Sequence, residues 1–106
     1  MNVEFFAAID KGRQRDNNED AVALDEDNAL AVLADGMGGY NAGEVASGMA
    51  TSFIRSELGR WLSDAATAAD ADVRRAMDIC VDNANRAIFN AANANPHYAG
   101  MGTTLV

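Results

Sequence analysis

Apolar residues follow two different rhythms along this chain. The first third carries short apolar stretches: Val3–Ile9, rich in β-favouring Val, Phe and Ile, then Ala21–Leu24 and Leu30–Leu33. Stretches of this length between polar clusters predict strands. The Asp25-Glu26-Asp27-Asn28 run between the last two is a turn signal, so those two are expected to form a hairpin. From Ala42 to Leu62 the rhythm changes: Val45, Met49, Phe53, Leu58 and Trp61 recur at roughly helical steps. Ser63–Asp70 is a polar, alanine-rich connector, with Asp70 or Asp72 as the expected N-cap of a second helix. Met77, Cys80, Val81, Ala84, Ile88 and Ala91 predict that helix from Val73 to near Asn95-Pro96. Gly100–Val106 reads as a last strand.

Composition narrows this picture. A length of 106 residues allows one small domain or part of a larger one, and 49% hydrophobic with 23% charged residues places it among globular chains. The formal net charge of −8 argues against nonspecific nucleic-acid binding, which needs Lys and Arg to neutralise phosphates. It fits a protein that collects cations or simply stays dissolved. Cys80 is the lone cysteine, so an internal disulfide is excluded and a reducing, cytoplasmic setting is expected. The start, MNVEFFAAID, lacks the basic region of a secretory signal, and no apolar run nears the ~20 residues of a membrane helix. From Ala87 onward no residue is acidic or basic, and His97 alone titrates near neutral pH. Such a stretch expects a cover, so residues 1–106 are read as a single, incomplete domain; a terminal strand at a sheet edge is the alternative.

The chemistry gathers around Asp35, expected at the end of the third strand and followed by Gly36, Gly38 and Gly39. Glycines there let the backbone turn and be approached closely. Mg²⁺ or Mn²⁺ takes one or two carboxylates, a carbonyl and several waters, so Asp35 and the Gly36 carbonyl would supply part of a shell. A hairpin turning near Asp27 would bring Glu19 and Asp20 to the same place, and a cation relieves the resulting repulsion. Arg13 and Arg15 lie just upstream, and an Arg fork suits a phosphate. Two decoys fail. GMGG before a helix lacks the Lys-Ser/Thr of a P-loop. Asp16, Asn18 and Asp20 open like an EF-hand loop, but Ala21 stands where Gly is needed and Asp27 where Glu is. Taken alone, Asp35-Gly36 is an ordinary turn signal.

The ordered combination is more specific. Arg15-x-x-Asn18-Glu19-Asp20, then Asp35-Gly36-Met37-Gly38-Gly39-x-x-x-Gly43-Glu44-x-Ala46-Ser47, then Gly100-Met101-Gly102-Thr103-Thr104-Leu105-Val106 resembles the metal-dependent protein phosphatases of the protein phosphatase 2C type. Met37 is similar to the bacterial branch. The resemblance covers essentially the whole chain. It implies an α+β fold, the N-terminal half of a β-sandwich flanked by helices in αββα layers. It implies hydrolysis of phosphoserine and phosphothreonine in proteins, the substrates of Ser/Thr kinases, by a water activated between two Mn²⁺ or Mg²⁺ ions. By the same resemblance Asp35 would bridge the metals, the Gly36 carbonyl would ligate one, Glu19 and Asp20 would act mainly through bound waters, and Arg15 would hold the substrate phosphate. Many eukaryotic relatives have His at the position of Met37, so the general acid is unassigned. Cys80 is expected in the core, and His97 and Arg13 at the surface. Family members are more than twice this length, and no carboxylate side chain follows Asp82, so the ligands of a second ion are missing here. The chain alone is therefore expected to be poorly active or inactive. A noncatalytic module that pairs with another chain or binds phosphoproteins is the competing class. Nucleic-acid and membrane partners are not expected, and the oligomeric state is open.

Overall fold

A computed structural model of the chain describes residues 4–8, 18–65 and 67–106. The hairpin forms as expected, with longer arms. Strand β1 spans Asp20–Asp25 and β2 spans Leu30–Met37, joined by a short 3-10 turn at Glu26–Asn28 and by Ala29, whose φ of 52° is left-handed. Helix α1 covers Ala42–Asp64 and helix α2 covers Asp70–Ala94. A second 3-10 turn at Pro96–Tyr98 leads to β3, Gly102–Thr103. The strands make one antiparallel sheet in the order β1-β2-β3. The β2–β3 ladder runs on beyond β3: Leu33 and Val106 exchange both backbone bonds at 2.8 Å, and Thr104 N donates to Asp35 O at 2.9 Å.

Pleat parity explains the layers. Val32, Ala34 and Gly36 point to one face of β2 and are buried, while Ala31, Leu33, Asp35 and Met37 point to the other and are exposed. Helix α1 lies on the buried face, and α2 packs on α1. One core cluster joins Val32 to Ile54, Leu58, Ala76, Cys80 and Ala84; a second joins Ala42, Ala46 and Ala50 to Ile88 and Met101. The architecture is thus α+β, with a small antiparallel sheet under a pair of helices.

Several expectations shift. Residues 4–8 form no strand; Val3 and Ile9 lie outside the described residues. Phe5, Phe6, Ala7 and Ala8 instead border a groove over the outer sheet face with Val22, Leu33 and Val106. Of the bulky positions expected on the core face of α1, Leu58 is buried, together with Ile54. Ala42, Gly43, Ala46, Ser47, Ala50 and Thr51 are buried, while Val45, Met49, Phe53 and Trp61 are half-buried along its flanks. Small side chains take the centre because helix and sheet backbones nearly touch there. The N-cap of α2 is Ala69, not Asp70 or Asp72. Both carboxylates sit in the first turn, where they still favour the helix dipole. In α2 the buried line is Ala76, Cys80, Ala84 and Ile88; Met77 and Val81 are exposed.

Candidate functional site

Asp35 does not end its strand. β2 continues through Gly36 to Met37, so Asp35 is held in the ladder on both sides. Toward β3, its N–H donates to the Thr104 hydroxyl at 3.0 Å and its carbonyl accepts from Thr104 N at 2.9 Å. The Thr104 carbonyl, the usual acceptor in such a pair, is taken by the Thr103 hydroxyl at 2.8 Å. Toward β1, Gly36 N donates to Glu19 O at 3.0 Å, which makes the adjacent Asp20–Asp35 couple a non-hydrogen-bonded pair. Side chains approach most closely at such positions and share a face. Asp20 and Asp35 are therefore brought together on the outer face, and both are exposed. Asn18 holds the backbone of Asp20 in place, its Oδ1 accepting from Asp20 N at 2.9 Å.

Glu19 takes the opposite side. A Cβ built on Gly43 would meet its carboxylate carbon at 2.7 Å and its oxygens at 2.8 and 2.9 Å. The Glu19 carboxylate thus fills the space left by Gly43 in the first turn of α1, where the helix dipole favours a negative charge. Among the described residues no group of three or more His, Cys, Asp or Glu is placed to hold a metal ion. The convergence expected of Glu19, Asp20 and Asp35 is thus limited to the two aspartates. Arg13 and Arg15 lie outside the described residues.

The glycines behind Asp35 have a packing cause. A Cβ on Gly36 would overlap the carbonyl oxygen of Gly43 and sit 2.6 Å from its carbon. A Cβ on Gly38 would come within 2.8 Å of the Ala42 Cβ. Only at Gly39 is the space open, with nothing within 4 Å. Glycine at these first two positions lets α1 begin directly against the strand. Beyond them Tyr40 adopts a left-handed φ of 54° although it carries a bulky side chain. Such a backbone costs about 1–3 kcal/mol and clusters at functional sites. Its ring stacks on His97, with centroids 4.6 Å apart and planes 23° from parallel. Hydropathy patterning carries no trace of this pair, because Tyr40 and His97 are exposed and far apart in sequence.

Facing carboxylates on the outer face are oxygen donors of the kind that a hard divalent cation takes. Asp20 and Asp35 would hold it, with the Gly36 carbonyl a further oxygen within the same short segment.

The chain is similar to known proteins in both sequence and fold. The protein phosphatase 2C family model matches residues 10–106. The serine/threonine phosphatase stp of Listeria monocytogenes is 35% identical over 109 residues, covering 100% of this chain and 41% of that protein. The serine/threonine protein phosphatase PstP of Mycobacterium tuberculosis is 37% identical over 97% of this chain and 18% of its own length. In three dimensions the crystal structure of M. tuberculosis PstP/Ppp matches with a TM-score of 0.73 at 38% identity, over 91% of this chain and 37% of that one. The S. agalactiae serine/threonine phosphatase matches with a TM-score of 0.71 at 32% identity, over 91% and 39%. The chain therefore spans about two fifths or less of these relatives (41%, 18%, 37% and 39%). By its ordered motifs, its sheet and helices, and these matches together, the chain belongs to the protein phosphatase 2C family.

Proposed function

We propose that this chain supplies one wall of a metal-dependent active site that hydrolyses phosphoserine and phosphothreonine in proteins. The observation that carries the reading is the Asp20–Asp35 pair, set face to face across the hairpin on an exposed sheet surface. Divalent ions held there, Mn²⁺ or Mg²⁺ and two of them in a complete domain, would supply a hydroxide-like nucleophile near neutral pH and charge to balance the phosphoryl oxygens.

The chain's own residues have separable tasks. Asp35 fixes the position of the pair, because both of its backbone bonds to Thr104 resist rotation of the strand. Asp20 supplies the second carboxylate from β1, and the Gly36 carbonyl is assigned as a further ligand. Glu19, seated against Gly43, acts from behind through water or by fixing the strand end. Arg15 is assigned to the substrate phosphate through a bidentate fork. No helix among the described residues is long and apolar enough to cross a membrane.

The test is phosphate release from a phosphothreonine peptide by the full gene product with Mn²⁺ present. Release that depends on Mn²⁺ and falls by about 10–100-fold or more in Asp35→Asn, the scale of a disturbed metal shell, supports the reading. Failure to release phosphate from any phosphopeptide under those conditions contradicts it and favours the noncatalytic module.

A further inference from the structure

Tyr40 is costly for folding and useful for nothing in the core. Its side chain is 79% exposed and its φ of 54° suits glycine better. Yet its ring is not loose, because it lies on His97 at a centroid distance of 4.6 Å. The His97 side of the stack is anchored. Asn95 Oδ1 accepts from His97 N at 3.0 Å, Tyr98 N donates to Asn95 O at 2.9 Å, and Met101 N donates to Tyr98 O at 3.1 Å. Met101 is buried in the second core cluster. A strained, exposed aromatic is thus braced against a segment rooted in the core. It also sits just past the end of β2, close in sequence to Asp35.

Resting on the phosphatase reading above, we propose that the Tyr40–His97 stack is a substrate-positioning platform that favours a cationic side chain flanking the phosphorylated residue. The ring face of Tyr attracts Lys and Arg, and Arg also stacks on flat aromatic surfaces. The surroundings have the matching sign. Glu44, exposed in the first turn of α1, follows Tyr40 by four residues in the sequence. A rim built in this way engages the polypeptide around the phosphate rather than the phosphate itself. It therefore sets preference among substrates.

The experiment compares kcat/KM of the full gene product for a phosphothreonine peptide flanked by arginines with that for the same peptide flanked by alanines. p-Nitrophenyl phosphate serves as a substrate without a peptide. The unsubstituted protein is expected to favour the arginine peptide by about two- to fivefold, chiefly through KM, the scale of an exposed cation–π contact. Tyr40→Gly relieves the backbone strain and removes the ring. Its thermal midpoint should hold or rise while the peptide ratio falls toward one. Tyr40→Trp should keep the ratio. Equal kcat/KM for the two peptides in the unsubstituted protein, or a ratio that survives Tyr40→Gly, overturns the platform and leaves the phosphatase standing. If neither peptide nor p-nitrophenyl phosphate is hydrolysed, the phosphatase reading falls and the platform with it.

Discussion

Gly36 shows how one missing methyl group can set a whole interface. Its hydrogen faces the Gly43 carbonyl where a Cβ would overlap it. Gly36→Ala must push α1 away from β2, and overpacking of this kind costs about 1–3 kcal/mol. Gly39→Ala meets nothing within 4 Å and should stay within about 0.5 kcal/mol of the parent. Urea denaturation of the pair separates packing from glycine content: equal losses would refute the close approach. Cys80 makes a second residue-scale case. Burial in the core, and secondarily the charge of Glu57, raises its thiol above the usual range. A raised folded value means that the neutral thiol stabilises the fold at lower pH, and that this contribution is lost as pH rises above the ordinary thiol range. Ellman's reagent at pH 8 should therefore label Cys80 slowly in the folded protein and rapidly in urea. Fast labelling without denaturant would show an accessible thiolate instead.

At the scale of elements, both helices and the hairpin were readable from apolar spacing, but of the buried face of α1 only Leu58 was. Periodicity weights large side chains, and here Val45, Met49, Phe53 and Trp61 are half-buried while the small Ala42, Gly43, Ala46 and Ala50 are buried beside Ile54 and Leu58. A helix drawn tight to a sheet needs small residues, and that need shows only once the Gly36–Gly43 approach is known. The Asp20–Asp35 juxtaposition was legible because a hairpin turning near Asp27 leaves little choice of register. The side taken by Glu19 follows only from the pleat, since neighbouring residues on a strand face opposite ways. The Tyr40–His97 stack had no signal at all in the spacing. Ala46 is fully buried in the cluster that joins α1 to Ile88 and Met101. Ala46→Leu should therefore cost about 1–3 kcal/mol by overpacking, read as a shift in the urea midpoint. An unchanged midpoint would mean that the helix has room to move.

At the scale of the molecule, one sheet face is covered by helices and the other displays Leu33 and Met37 beside Asp20 and Asp35, with Leu33 50% and Met37 65% exposed. Apolar residues on that face invite cover, while the two carboxylates invite a cation. In the function proposed above, binding of a divalent ion by the aspartate pair comes before any hydrolysis. Mn²⁺ titration followed by electron paramagnetic resonance probes it without reference to turnover. A saturable loss of the free Mn²⁺ signal is expected on adding the protein, reduced by Asp35→Asn and by Asp20→Asn alike. Saturable binding that neither substitution weakens, or no binding by the unsubstituted protein, would contradict it.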